Sequence, residues 1–308
     1  MRVRFIVEYI LFQIVAGVVN ILPLRLARWK GSALGGLAYF LWGRRRRVAL
    51  ENLTKAFPEK SHKEIEGIAR GAFRNVGISL LELLWFSRMT TDRIRSLVRF
   101  DKPDLIKESY ARGKGLLLLT AHFGNWELLA QSIIVHFGFP LHIIVKTQSN
   151  RLVDRKINQR RTRFGNSVIP METSLREVLR ALHSGEAVGI VADQAAPQEN
   201  VPIEFFGRSV PTHQGPAVLS LKVGSPLVAL FSVRQADGSY QVYVQEVPMQ
   251  DIREFTRENV IELTKRHTKL TEEFIRRYPD HWMWMHKRWK HLPEEQTAPV
   301  LVEQHEED

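Results

Sequence analysis

The chain has 308 residues, 44% apolar and 25% charged, a length that suits one large domain with an appendage and a composition ordinary for a globular protein. It contains no cysteine, which excludes disulfides, thiolate catalysis and thiolate zinc sites. Its net charge of +11 is uneven, since residues 293–308 carry six acids and no Lys or Arg; the more basic remainder suits nucleic acid, an anionic membrane or an acidic protein.

Phe5 to Leu24 is mostly apolar, interrupted by Glu8, Gln13, Gly17, Asn20 and Pro23. Twenty such residues just suffice to cross a bilayer, although Glu8 weakens the segment. Arg25, Arg28 and Lys30 follow, then a shorter apolar stretch from Ala33 to Trp42, then Arg44–Arg47. Two apolar segments edged by arginines predict a membrane-inserted or interfacial anchor with its basic ends at headgroups. No small-residue cleavage site supports a signal peptide. Nucleic acid is not expected as a partner, because no zinc-finger spacing, RNA-recognition signature or aromatic-interleaved basic sheet accompanies the charge. The expected organisation is an anchor with its basic flank over 1–47, a catalytic body over 48–292, and an acidic, disordered tail over 293–308.

From Val48 to about Trp85 the spacing is helical, and Ser61 with Glu64 reads as a capping box opening a second helix. Leu116 to Leu119 is an apolar run behind a Gly-Lys-Gly turn, the pattern of a strand buried on both faces. His122 follows its carboxyl end, and Asn125 is a good N-cap for a helix from Trp126 to about Phe137. Beyond it, strands at 141–145, 167–169 and 187–192 alternate with helices at 152–164 and 175–182, which predicts an α/β sheet with crossover connections. Val201–Phe206, a helix over 216–223, strands at 227–233 and 240–247 joined at Asp237-Gly238, and a long helix from about Arg253 to Arg277 complete the reading.

Ligands of open α/β sheets bind beyond the carboxyl ends of strands, where His122 is placed. On one helix, His122 and Glu127 would sit about 140° apart. They can meet only if the chain turns between them, which Gly124 permits. A carboxylate there could fix the imidazole tautomer and leave the other nitrogen as a base. The alternative is a surface histidine beside a glutamate that merely favours a helix N-terminus. Asn150, Arg151, Arg155, Arg160, Arg161 and Arg163 form either an anion-binding or a solvated basic face. Asp193-Gln194 closes a strand at the same sheet edge as His122 and is a candidate pair for supporting the site residues from behind or binding the acceptor. The tract from His281 to Trp289 suits a headgroup interface or a buried aromatic plug. His281, His286 and His291, five apart, do not align as metal ligands, and no Gly-x-Ser-x-Gly elbow, Walker loop or His-Glu-x-x-His occurs.

With these residues in hand, the sequence resembles the bacterial lipid A biosynthesis acyltransferase family (lauroyl/myristoyl type), within the wider glycerophosphate acyltransferase superfamily. Five features agree in order over roughly residues 5–290: the N-terminal anchor, His122-Phe-Gly-Asn-Trp-Glu127, Asn150 with its arginine-rich helix, Asp193-Gln194 before Phe205-Phe206-Gly207, and the tryptophan-rich end. The resemblance implies a mixed, mostly parallel sheet flanked by helices and an O-acyltransferase without metal or cofactor. His122 would be the general base assisted by Glu127, and Asn125, Asn150, Arg151, Arg160, Arg161, Arg163, Asp193 and Gln194 would line the substrate site. The donor would be acyl carrier protein or acyl-CoA and the acceptor a hydroxyl of a lipid A precursor. The location would be the bacterial inner membrane, with the catalytic domain facing the cytoplasm. The Gly-Asn-Trp filling also resembles relatives acting on mannosylated or other glycolipids, so another glycolipid or a lysophospholipid is the alternative acceptor. A basic membrane-surface or nucleic-acid binder is the non-enzyme alternative.

Overall fold

The computed structural model describes residues 3–196, 201–252 and 254–289; the expected acidic tail, 293–308, and His291 lie outside the described residues. In chain order the elements are α1 (Val3–Ile21), α2 (Leu24–Leu41), α3 (Gly43–Ala56), α4 (His62–Trp85), α5 (Thr91–Leu97), β1 (Val98–Phe100), α6 (Pro103–Ala111), β2 (Leu116–Thr120), α7 (Trp126–Phe137), β3 (Leu141–Val145), α8 (Arg151–Arg161), β4 (Ser167–Pro170), α9 (Ser174–His183), β5 (Ala187–Val191), β6 (Val201–Phe205), β7 (Arg208–Thr212), α10 (Gly215–Val223), β8 (Leu227–Arg234), β9 (Tyr240–Glu246) and α11 (Arg257–Arg277). Seven strands form one sheet in the order β1-β9-β8-β2-β5-β3-β4. Its neighbours pair parallel except β8 and β9, which form the hairpin expected at Asp237-Gly238. The α/β class, with its mostly parallel sheet flanked by helices, is therefore the architecture found.

β2 lies inside the sheet, and Leu116 through Leu119 are each at most 2% exposed. Alternation sends Leu117 and Leu119 into the core under α3, α9, α10 and α11, and Leu116 and Leu118 into the core under α5, α6 and α7. The run is apolar throughout because neither face meets water. β6 and β7 form a separate hairpin whose turn, Phe206-Gly207, has positive φ at both residues (53° and 68°).

The N-terminal segments divide in their packing. α1 is the one described helix long and apolar enough to cross a membrane, and its outer face exposes Ile6, Ile10, Ile14 and Val18 among others. α2 also exposes Trp29, Leu37 and Phe40, but its inner face is pressed onto α4 through glycines. A Cβ on Gly35 would lie 2.2 Å from the Phe73 carbonyl oxygen, and one on Gly77 would lie 2.2 Å from that of Gly31. The second apolar stretch is thus built into the body, and α3 runs unbroken through the expected boundary at 47/48. Gly35→Val is expected to destabilise the protein by about 1–3 kcal/mol through overpacking against backbone. Gly36→Ala, whose Cβ would meet only Arg74 side-chain atoms at 3.6 Å or more, is expected to be neutral. Thermal melts of the two variants side by side check this, and equal Tm values would contradict the close helix contact.

Candidate active site

Because β2 and β5 pair parallel with Thr120 opposite Val191, the chain leaves both strands side by side, and His122 meets Asp193. The His122 Nδ1 lies 2.8 Å from Asp193 Oδ1. Asp193 Oδ2 accepts the His122 backbone N–H at 3.0 Å and the Trp282 indole N–H at 2.6 Å. Burial disfavours the imidazolium, but the Asp193 carboxylate, and Glu127 at longer range, outweigh it and hold the His122 pKa above its ordinary 6.5. Burial likewise disfavours the Asp193 carboxylate, but its bonds to His122 and Trp282 prevail and keep its pKa below 3.8. With Nδ1 held by a carboxylate, Nε2 is the nitrogen left to accept a proton.

The turn after His122 depends on Gly124. Its φ is +56°, and a Cβ there would lie 1.7 Å from the Ser232 carbonyl oxygen. The C-terminal segment closes over the turn: the Gly124 N–H donates to His281 O at 2.8 Å and the Met283 N–H to His122 O at 3.0 Å. The expected turn is present, but it does not bring Glu127 to the imidazole. Glu127 sits in the first turn of α7, where Arg161 takes its carboxylate with two donors, Nε at 2.9 Å and a terminal nitrogen at 2.5 Å. The hydrogen-bonded partner of His122 is therefore Asp193. The neighbouring parallel strand delivers a carboxylate in register, whereas a helix start five residues on points its side chain toward α8.

A cavity of about 260 Å³ opens beside His122 and runs between α7 and the sheet. Trp126, Glu127, Arg161, Gln194 and His213 share its wall with His122, and Leu118, Leu129, Ile133, Ile143 and Ile190 supply apolar surface. Leu118 and Ile133 are at most 2% exposed, so the cavity reaches the core. A polar end at the imidazole and a greasy interior suit a substrate with one reactive head and a hydrocarbon chain.

Of the other expected substrate-site residues, Gln194 and Arg161 reach the cavity, Asn125, Asn150, Arg160 and Arg163 are committed to the fold, and Arg151 does neither. Asn125 is fully buried: its Oδ1 accepts the Leu128 N–H at 2.8 Å, and its Nδ2 donates to Glu82 Oε2 at 2.5 Å. Asn150 caps α8 and donates to Phe5 O and Glu8 Oε2, fastening α1 to the body. Arg160 lies over the Phe12 ring of α1, and Arg163 donates to Phe86 O. Arg151 is exposed and does not line the cavity. Asn125, Asn150, Arg160 and Arg163 are spent on helix ends and interhelical contacts, as arginines beside carbonyls and rings often are. The tryptophan tract is a buried plug: Trp282, Trp284 and Trp289 are at most 5% exposed and pack with Phe205 and Phe206.

Three residues around the site were not anticipated. Glu82, with no exposed surface, accepts from Arg28, Asn125 and Tyr240, each at 2.5 Å. Its position as a lone acid in the apolar run Leu80-Leu81-Glu82-Leu83-Leu84 was a readable signal, because an unpaired buried charge is costly. Arg288 lies in the aromatic and basic tract, but nothing there singles it out, and His213 carries no local pattern that marks it.

The family model for bacterial lipid A biosynthesis acyltransferases matches residues 2–291. The chain is 27% identical over 277 residues to the lipid A biosynthesis palmitoleoyltransferase of Escherichia coli K12, covering 88% of this chain and 87% of that one. It is 28% identical over 274 residues to the lauroyltransferase of the same organism, covering 86% and 85%. It is also 25% identical over 191 residues to a phosphatidylinositol mannoside acyltransferase of Mycobacterium tuberculosis, covering 60% and 58%. With a match spanning nearly all of its length, the chain belongs to the bacterial lipid A biosynthesis acyltransferase family and is an acyltransferase.

Proposed function

We propose that the protein transfers a fatty acyl chain from an acyl thioester, carried by acyl carrier protein or CoA, to a hydroxyl of a lipid A precursor at the cytoplasmic face of the inner membrane. The observation that carries this reading is an imidazole tied through Nδ1 to a buried carboxylate at the mouth of an apolar cavity. His122 Nε2 takes the acceptor proton as the hydroxyl oxygen attacks the thioester carbonyl; Asp193 holds the tautomer and stabilises the imidazolium. The imidazolium then protonates the departing thiolate. Glu127 acts through charge and by holding Arg161 at the cavity wall, where the guanidinium can face an anionic headgroup. The cavity takes the acyl chain, and α1 inserts among lipids with the exposed apolar side of α2 at the interface.

The experiment is an assay of the full-length protein in inner-membrane vesicles. Labelled acyl–carrier protein or acyl-CoA is supplied with a phosphorylated disaccharide lipid A precursor, a mannosylated phosphatidylinositol or a lysophospholipid. Label is expected in the lipid A precursor, identified by mass spectrometry. Label only in the mannosylated lipid would favour the second reading, which rests on the similarity to the mycobacterial mannoside acyltransferase. Label only in lysophospholipid would reject both.

A further inference from the structure

An acyl transfer at this site creates a negative oxygen that needs donors. The cavity wall at His122 offers few free ones. Arg161 donates three of its five N–H groups, two to Glu127 and one to Asn158, and its charge is paired with the Glu127 carboxylate. The Thr120 hydroxyl donates to Leu230 O at 2.7 Å, inside the sheet. Lys146 and Gln148 are exposed at the rim. The Trp126 indole stands T-shaped to the His122 ring, with 5.2 Å between centroids. Gln194 and His213 are the other side-chain donors at the wall.

Gln194 Nε2 lies 3.3 Å from His122 Nδ1 and 3.4 Å from His122 Nε2, so the amide is nearly equidistant from the two ring nitrogens. A hydroxyl bound to that Nε2 sits about 2.6–3.2 Å from it. The carbonyl under attack, and its oxygen, therefore come within reach of the same amide. His213 enters the same wall from the loop between β7 and α10. That loop is clamped: Arg288, 2% exposed, donates to Pro211 O and to Thr212 Oγ1, each at 2.8 Å. A buried cation forked onto the two residues preceding His213 gives its ring a set position. Burial, reinforced by Arg288 and opposed by Asp193, holds the His213 pKa below 6.5, so the ring is a neutral N–H donor that does not compete with His122 for the proton.

We propose that Gln194 and His213 are catalytic residues that donate hydrogen bonds to the thioester oxygen as it becomes negative. This inference rests on the acyl-transfer reading above and deepens it. As the acceptor oxygen–carbon bond forms, the carbonyl π pair moves onto oxygen between the Gln194 and His213 N–H groups, while His122 holds the hydroxyl proton. The pair returns to re-form C=O, the carbon–sulfur bond breaks, and the thiolate leaves with that proton. No further reactant is required.

The test compares Gln194→Leu, His213→Leu and His213→Asn with wild type and His122→Ala. The full-length protein is used in vesicles with lauroyl–acyl carrier protein and the lipid A precursor. Each leucine variant is expected to lose about 10²–10³-fold in kcat with KM for the acyl donor nearly unchanged. The acid limb of the pH profile is expected to stay in place, since neither residue sets the His122 proton affinity. His213→Asn, which retains an N–H donor, is expected to recover at least tenfold over His213→Leu; this comparison also serves if the leucine variant folds poorly. Wild-type kcat in both leucine variants, a loss confined to KM, or a displaced acid limb would overturn the inference. If His122→Ala alone keeps full activity, the acyl-transfer mechanism itself fails; if His122→Ala is inactive and the leucine variants are not, only this assignment does.

Discussion

His122→Ala is expected to lower kcat by about 10²–10⁴-fold, the range contributed by a positioned general base. The Asp193 carboxylate keeps the His122 backbone N–H and the Trp282 indole, so the variant is expected to fold. In wild type, kcat/KM should rise with pH, because only the neutral imidazole accepts a proton. Asp193 and Glu127 favour the imidazolium against the effect of burial, so the midpoint of that rise is expected above pH 6.5. The same shift gives the pair a stability signature. Its contribution from His122 is complete below pH 6.5 and is lost as pH climbs through the raised pKa. Its contribution from Asp193 is present above pH 3.8 and is lost as pH drops through the lowered pKa. Single-turnover rates for wild type and variant across pH 5–9 check the catalytic statement. Transfer by His122→Ala at the wild-type rate would remove the imidazole from the mechanism.

Asp193→Asn carries the second large effect. The amide is nearly isosteric, but it can offer an N–H to Nδ1 and so place the ring proton on Nε2, where it blocks the base. A loss of about 10²–10⁴-fold in kcat is expected from the wrong tautomer. The remaining activity should titrate at lower pH than wild type, because the charge that raised the His122 pKa is gone while burial persists. Glu127→Gln should behave differently. It breaks the pair with Arg161 and leaves the His122 tautomer intact, so it is expected to act on KM for a phosphorylated acceptor more than on the tautomer. If instead Glu127→Gln loses about 10²–10⁴-fold in kcat and Asp193→Asn stays active, Glu127 and not Asp193 orients the base.

Much of the scaffold follows from local rules. The leucine run of β2, the Asn125 cap, the Ser61–Glu64 capping box and the Asp237-Gly238 hairpin appear where composition and spacing place them. The segment between Trp85 and Gly115 was harder, because α5, β1 and α6 are short, and α5 and β1 too brief for any periodicity to register. β7 was hidden behind Pro211 and the tight Phe206-Gly207 turn. The arginine-rich helix reads from its sequence as either an anion-binding or a solvated basic face, yet its members diverge. Arg161 turns to Glu127, Arg160 to Phe12 and Arg163 to Phe86 O, since neighbouring helix positions 160 and 161 point about 100° apart and Arg163 lies beyond the helix end.

The amino-acid sequence by itself determined the strand-turn-helix that carries His122, the α/β alternation, the apolar N-terminal helix and the absence of thiol chemistry, because each depends on neighbours within a few residues. Tertiary structure alone decided which carboxylate bonds the imidazole, which arginine faces the cavity, that Gln194 lies against that ring and that His213 shares the cavity wall with it. Those contacts join positions up to about ninety residues apart, and they are set by strand order, parallel register and the burial of the tryptophan plug.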